Sequence, residues 1–211
     1  MKDSRGEILV SPQKVLERWS EYFEKLLNET NGFEVEEVEP TQGPIKEVTM
    51  DEVKRALAAM KSGKAAGPTG LTSEMMKATG ECGLAEFTEV LSEVWKSEEL
   101  PEEWKCSDTV TVYKGKGDPL HCGSYRGIRL LEHPLKVLEK ILEKRLRDVV
   151  NISDMQCGFM PGRSTIDAMF VLRQLQEKYR EKKKTLFHVF VDLEKAFDRV
   201  PRPVIVWALR K

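Results

Sequence analysis

The 211-residue sequence lacks several patterns that assign a chain to a familiar class of protein. No apolar run approaches the roughly 20 residues that cross a bilayer, and the N-terminal stretch has no apolar core of a signal peptide. The four cysteines have no C-x-x-C spacing, which argues against a zinc module or a disulfide framework and favours a reducing compartment. The sequence therefore predicts an intracellular protein, of the cytoplasm or nucleus, with no membrane-spanning segment.

Common catalytic motifs are absent as well. The sequence contains no G-x-x-x-x-G-K-[ST] phosphate loop, no G-x-S-x-G nucleophile turn and no H-E-x-x-H zinc motif. Two glycine-rich stretches, at 61–70 and 115–118, do not match the spacing of a phosphate loop. These absences exclude the motif-based assignments to P-loop nucleotidases, α/β-hydrolases and zincin proteases.

The small overall charge conceals an uneven distribution. The formal net charge is −1, but residues 1–104 carry −10 and residues 105–211 carry +9. A basic half favours a polyanionic partner such as nucleic acid or a nucleotide. Solvated helix faces that happen to differ in charge would give the same count, and charge alone leaves both interpretations open.

The periodicity of apolar residues predicts an α+β fold that is rich in helices at its N-terminal end. Ser11-Pro12 begins one helix, Thr49 with Glu52 forms a capping box for another, and Pro40 and Pro44 indicate an acidic linker between them. Further helices are predicted at about 73–79, 83–97, 134–149, 165–179 and from 203 onward. Strands are predicted at 109–113, 125–131 and 185–193.

Asp192 is the most distinctive candidate for chemistry. It lies at the end of the apolar stretch Thr185–Leu193, where a carboxylate can stand at the edge of a sheet. Polymerases use such carboxylates to hold Mg²⁺ ions. The alternative is an aspartate that caps the following turn.

Other candidates are cationic or aromatic. Lys114, Lys116 and Arg126 flank the predicted pair of strands and could grip a triphosphate, or they could be ordinary exposed charges. Phe197 follows Asp192 by five positions and could press on the sugar of a nucleotide, or it could belong to the core.

A loop between two predicted helices supplies the last candidates. Residues 151–164 contain the pattern Q-x-G-F-x-x-G-R, in which Gln156, Gly158 and Arg163 could contact the backbone of a template strand. An ordered connector between the helices would have the same composition.

Four segments in this order resemble the reverse transcriptase domain of non-LTR retrotransposons, most closely that of RTE-like elements. The segments are KSGKAAGPTGLTSEMMK (61–77), YKGKGDPLHCGSYRGIRLLEHPLKVLEKILEKRL (113–146), MQCGFMPGRSTIDAMFVLRQLQEKY (155–179) and FVDLEKAFDRVPR (190–202). The resemblance covers residues 12–211. It implies a right-hand polymerase: an N-terminal helix and acidic linker (1–48), a helical extension of the fingers (49–104), fingers (105–184) and the start of a palm (185–211).

The resemblance also implies roles for the candidate residues. Asp192 matches the first catalytic aspartate and, with the backbone carbonyl of Leu193, a ligand of Mg²⁺. Phe197 matches the aromatic residue that excludes ribonucleotides. The finger residues that contact the triphosphate of an incoming deoxynucleotide match Lys116, Arg126 and, less closely, Lys114. Gln156, Gly158 and Arg163 match a loop near the RNA template, along which a DNA primer is extended.

Two departures from the family pattern set further expectations. Thr69 stands where the family usually has aspartate in a G-P-D-G loop, and we expect the change to loosen a turn. No adjacent pair of aspartates occurs in the sequence, although the family's palm carries one. We therefore expect a fragment of an RNA-directed DNA polymerase that is inactive alone; the alternative is a non-catalytic remnant that binds RNA.

Overall fold

The computed structural model describes residues 1–28, 34–39 and 46–210. Contacts divide the chain into two compact units, one formed by Met1–Lys144 with Lys195–Lys211 and the other by Arg145–Glu194. The predicted acidic linker lies partly outside the described residues. Its described residues, 34–39 and 46–48, form neither helix nor strand.

Most predicted elements are present with small changes at their ends, and the α+β class is confirmed. The helices are α1 (Pro12–Leu27), α2 (Met50–Ala58), α3 (Ser73–Ala78), α4 (Gly80–Ser97), α5 (Glu102–Lys105), α6 (His133–Val149), α7 (Thr165–Glu181), α8 (Ala196–Arg199) and α9 (Arg202–Arg210). The strands are β1 (Ser107–Tyr113) and β2 (Tyr125–Leu131). No helix of the described residues is long and apolar enough to cross a membrane.

The helix starts follow from local hydrogen bonds. At α2 the hydroxyl of Thr49 accepts the backbone N–H of Glu52, and the Glu52 carboxylate accepts the N–H of Thr49. This is the reciprocal capping box that the sequence predicts. Ser164 and Asp167 form a second one at the start of α7.

The buried core lies in the first unit, among α2, α3, α4 and α6. Val53 of α2, Leu91 of α4 and Val137 of α6 are each 0% exposed. Around them lie Val48, Ala56, Leu57, Met60, Met76, Leu84, Val94, Leu138 and Ile141. This helical core anchors α6, and α6 follows β2 after a single residue.

The sheet is a two-stranded antiparallel hairpin. Its register pairs Ser107 with Leu131 at one end and Tyr113 with Tyr125 at the other. Residues 114–124, the hairpin tip, join the strands at the tyrosine pair. A two-stranded sheet is marginally stable alone, so the hairpin depends on the helices around it.

The predicted strand over 185–193 is wrong. Residues 184–193 form neither helix nor strand, and the described part of the chain offers no third strand. A strand requires a neighbour for its backbone hydrogen bonds, and apolar composition alone does not supply one. Phe187, Val189 and Val191 are accordingly more than four-fifths exposed.

Candidate nucleotide and template site

The hairpin tip is held in one shape by its own hydrogen bonds. The Tyr113 hydroxyl donates to the carbonyl of Gly117 at 2.7 Å, and the Tyr125 hydroxyl donates to that of Pro119 at 2.8 Å. Gly117 has a φ of 86°, in the left-handed region that glycine tolerates without strain. The two tyrosines that close the sheet therefore also fix the path of the tip.

The three cations of the hairpin are in different situations. The Lys114 amine donates to the carbonyl of Gly123 at 2.9 Å, so it is engaged within the tip. Lys116, in the tip, and Arg126, one residue into β2, are both exposed. Among the residues that the structure describes, neither has a hydrogen-bonded or ion-paired side-chain partner. Lys116 and Arg126 are therefore available to an anion.

The tip is also tied to the N-terminal segment. The Lys2 amine lies 2.7 Å from the Asp118 carboxylate, and the Lys2 backbone N–H donates to the carbonyl of Leu120 at 2.7 Å. The hydrogen bond from Lys2 holds the pKa of Asp118 below its usual value. Asp118 and Leu120 follow Lys116 by two and four positions, so the N-terminal segment contacts the tip that carries Lys116.

Phe197 lies on the short helix α8, within the same unit as the hairpin. Its side chain is 82% exposed, which argues against the core alternative. Lys195 immediately precedes α8 with a φ of 51°, a left-handed conformation that is uncommon for a residue with a side chain. Its amine donates to the Tyr22 hydroxyl and lies 4.5 Å from the centre of the Tyr22 ring.

The template-loop candidates lie in the second unit. Gln156 donates from its side-chain amide to the carbonyl of Gly158 at 3.1 Å. Arg163 is exposed, and the described residues contain no partner for its guanidinium. Arg147 of α6 donates to the carbonyl of Phe159 at 3.0 Å and so holds the loop. The loop therefore presents Arg163 from a fixed segment.

Asp192 belongs to the same second unit and is exposed, on a segment without helix or strand. No group of three His, Cys, Asp or Glu side chains that could hold a metal occurs within the described ranges. Mg²⁺ is nevertheless often bound by one or two carboxylates completed by water and substrate phosphates. The Asp192 carboxylate and the Leu193 carbonyl supply oxygen donors of the right kind for such a partial site.

Sequence reasoning missed a buried contact around Thr69. The Glu132 carboxylate, which is 1% exposed, accepts the Thr69 N–H at 2.8 Å and the Thr69 hydroxyl at 2.6 Å. A Cβ on Gly67 would lie 2.7 Å from the same carboxylate. The Gly70 N–H donates to the Gly67 carbonyl at 3.0 Å, so the turn is closed. The expectation that Thr69 loosens the turn relative to aspartate stays a prediction.

Sequence reasoning also missed the contact between Tyr22 and Lys195. The two residues lie 173 positions apart in the chain, and Tyr22 belongs to an aromatic stripe that helical spacing assigns to ordinary packing. No local pattern in the sequence signals a lysine partner for one of the three aromatic residues of α1.

Comparison with known proteins identifies the region that contains these residues. Residues 113–207 match the family model described as reverse transcriptase (RNA-dependent DNA polymerase). That range contains the hairpin tip, β2, the template loop, Asp192 and Phe197.

Curated relatives give the same result over a longer part of the chain. The transposon TX1 149 kDa protein of Xenopus laevis is 31% identical over 77% of this chain and 12% of its own length. The Pol polyprotein of the type-1 retrotransposable element R1 of Bradysia coprophila is 32% identical over 73% of this chain and 16% of its own length. The RNA-directed DNA polymerase of the mobile element jockey of Drosophila melanogaster is 26% identical over 80% of this chain and 19% of its own length.

The chain spans less than a fifth of the length of each of these three relatives. The more specific likeness to RTE-like elements stays a prediction. The family match and the relatives together place the chain among the reverse transcriptases of non-LTR retrotransposons.

Proposed function

We propose that this chain forms the part of an RNA-directed DNA polymerase that holds the incoming deoxynucleoside triphosphate and the RNA template. The observation that carries the proposal is the pair of exposed cations Lys116 and Arg126 at the tip end of the hairpin, within the matched region. Neither has a side-chain partner among the described residues. Phosphate oxygens suit both: the guanidinium binds them bidentately and the ammonium binds as a point charge.

The other matched residues have complementary roles in this proposal. Phe197 is 82% exposed, and its ring would contact the sugar and crowd a 2′-hydroxyl. Asp192 and the Leu193 carbonyl would hold Mg²⁺, which when bound supplies charge neutralisation at the phosphates during nucleotidyl transfer. Lys114 is proposed as a residue that shapes the tip as well as a nucleotide contact, since its amine already binds Gly123.

Equilibrium binding to the whole chain tests the nucleotide role. A fluorescent deoxynucleoside triphosphate is titrated in Mg²⁺ against the wild type, Lys116→Gln, Arg126→Gln and the control Lys14→Gln, which removes an exposed lysine from α1. We expect each hairpin variant to bind about tenfold more weakly, because one charge-assisted contact is lost. Equal affinities of all four proteins would refute the proposal.

Binding of single-stranded RNA tests the template role. Phosphate contacts release counterions, so affinity falls as salt rises, and removing one contact reduces the salt slope by about one. Arg163→Gln is expected to have this effect, and the control Arg173→Gln, on the exposed face of α7, is not. RNA affinity that does not depend on salt or on Arg163 would contradict the assignment. Together with the nucleotide titration, this measurement also tests the alternative of a non-catalytic RNA-binding protein, which would bind RNA but no nucleotide.

The compartment forms part of the same proposal. All four cysteines are free, as is usual in a reducing environment, and this supports the cytoplasm or nucleus. A polymerase that copies RNA meets its template in either place.

A further inference from the structure

We propose that the N-terminal segment, residues 1–27, is a brace that fixes the hairpin tip relative to α8, with Tyr22 as the residue that positions Lys195 and thereby Phe197. The inference deepens the proposed function, because it names residues outside the matched region that shape the nucleotide site. It stands on three sets of contacts, all within one compact unit.

The first contact is at the tip. Lys2 binds both Asp118 and the carbonyl of Leu120, and Arg18 of α1 donates from Nε to the carbonyl of Lys2 at 3.3 Å. The start of the chain is thereby connected to the tip on one side and to α1 on the other. Movement of the tip that carries Lys116 requires these contacts to break.

The second contact lies between α1 and the strands. The Phe23 ring lies so close to β2 that a Cβ on Gly127 would be 2.7 Å from it. Trp19 stacks on Phe23 with ring centres 5.7 Å apart and meets the edge of Tyr125 at 5.3 Å. Only glycine at position 127 permits this approach, so α1 is seated directly on the strand that carries Arg126.

The third contact reaches α8. Tyr22 adjoins Phe23 on α1, and its hydroxyl and ring both bind the Lys195 amine. Burial in this position lowers the pKa of Lys195, as expected for an ammonium removed from water. Lys195 is the N-cap of α8, and Phe197 is the second residue of that helix. The position of Phe197 therefore depends on a residue of α1.

The N-terminal segment thus contacts the tip through Lys2 and, through α1, contacts the strand and α8. These three elements carry Lys116, Arg126 and Phe197. The aromatic stripe of α1 has no buried residue, so these contacts are made at its surface rather than in a core. A brace of this kind sets the distance between the cations proposed to bind the triphosphate, Lys116 and Arg126, and the Phe197 ring proposed to contact the sugar. That distance determines how strongly Phe197 can discriminate against a ribose.

Nucleotide selectivity tests the proposal with conservative variants of the full chain. Tyr22→Phe removes the hydroxyl and keeps the ring; Tyr179→Phe, on α7, is the matched control. Affinities for a deoxynucleoside triphosphate and for its ribonucleotide counterpart are measured in Mg²⁺. We expect Tyr22→Phe and Lys195→Met to lower the deoxy-to-ribo ratio about threefold to tenfold, the double variant to add no further loss, and Lys195→Arg to retain the ratio.

Hydrogen exchange supplies a readout that needs no nucleotide. Tyr22→Phe is expected to raise the exchange of amides 196–199 at least severalfold, and Lys2→Gln to do the same for amides 118–124. Tyr179→Phe should change neither segment. If the wild type binds no nucleotide, the proposed function fails and exchange alone decides whether the brace exists. If exchange at 196–199 and the deoxy-to-ribo ratio are both unchanged in Tyr22→Phe, the brace is refuted whatever the nucleotide affinity.

Discussion

The buried contact between Thr69 and Glu132 allows a stability prediction of defined size. Thr69→Val keeps the shape of the side chain and removes the hydroxyl that donates to the carboxylate at 2.6 Å. The carboxylate is 1% exposed, so water cannot replace the lost donor. A hydrogen bond to a charged group contributes about 1.5–3 kcal/mol, and we expect the free energy of unfolding to fall by about 2 kcal/mol.

Thermal and urea unfolding followed by circular dichroism measure this change. For a chain of this size about 2 kcal/mol corresponds to a melting temperature lowered by roughly 4–8 °C. Thr111→Val is the matched control, since this half-buried strand residue has no side-chain hydrogen bond among the described residues; it should stay within about 0.5 kcal/mol of wild type. A loss in Thr69→Val no greater than in the control would refute the argument.

A second substitution at the same position tests the electrostatic part of the argument. Thr69→Asp introduces the residue that the family usually carries, and here it would place a second carboxylate beside the buried carboxylate of Glu132. We expect a larger loss than in Thr69→Val, and partial recovery when Glu132→Gln removes one of the charges. Full stability of Thr69→Asp alone would contradict the expected repulsion between the two carboxylates.

Three further predictions follow from other contacts. Gly127→Ala places a methyl group against the Phe23 ring and should destabilise the chain by about 1–3 kcal/mol in urea unfolding, with relief when Phe23→Leu is added; an unchanged midpoint would contradict the close approach. Because Lys2 lowers the folded-state pKa of Asp118, the contact between them should persist above the unfolded-state pKa and weaken as pH falls through the lowered value. The protection factors of amides 118–124, which are corrected for the intrinsic pH dependence of exchange, should fall over this range in the wild type and not in Asp118→Asn; protection factors that do not change with pH in the wild type would exclude it. The polypeptide of these 211 residues is expected not to extend a primer, because no adjacent aspartate pair accompanies Asp192 in sharing the charge of two Mg²⁺ ions, and steady incorporation lost in Asp192→Ala would overturn this.

Sequence patterns predict the local structure of this chain well where the signal is itself local. The capping box at Thr49 and the helical spacing after Ser11 each involve residues a few positions apart, and both are present. The hairpin follows from two short strands that flank a glycine-rich tip. In each case the side chains of one short segment determine its backbone hydrogen bonds, so the sequence of that segment is enough to predict its structure.

The features that sequence reasoning missed or predicted wrongly are contacts or pairings between distant segments. The apolar stretch at 185–193 satisfies the composition of a strand, but a strand also needs a partner, and composition does not reveal whether one is present. The effect of Thr69 could not be judged from its own loop, because its partner Glu132 follows 63 positions later. The position of Lys195 against Tyr22 depends likewise on how α8 meets α1.

The dependence between α1 and the hairpin explains why the N-terminal segment matters to a site that lies outside it. Isolated helices of about 15 residues and isolated two-stranded sheets are both marginal in water. α1 has 16 residues and no buried side chain, and the hairpin has only two strands. Each therefore gains stability from the other through Phe23, Gly127 and Tyr125. Weakening α1 should accordingly loosen the strands that carry Arg126 before it disturbs the helical core around Leu91, since no residue of α1 belongs to that core.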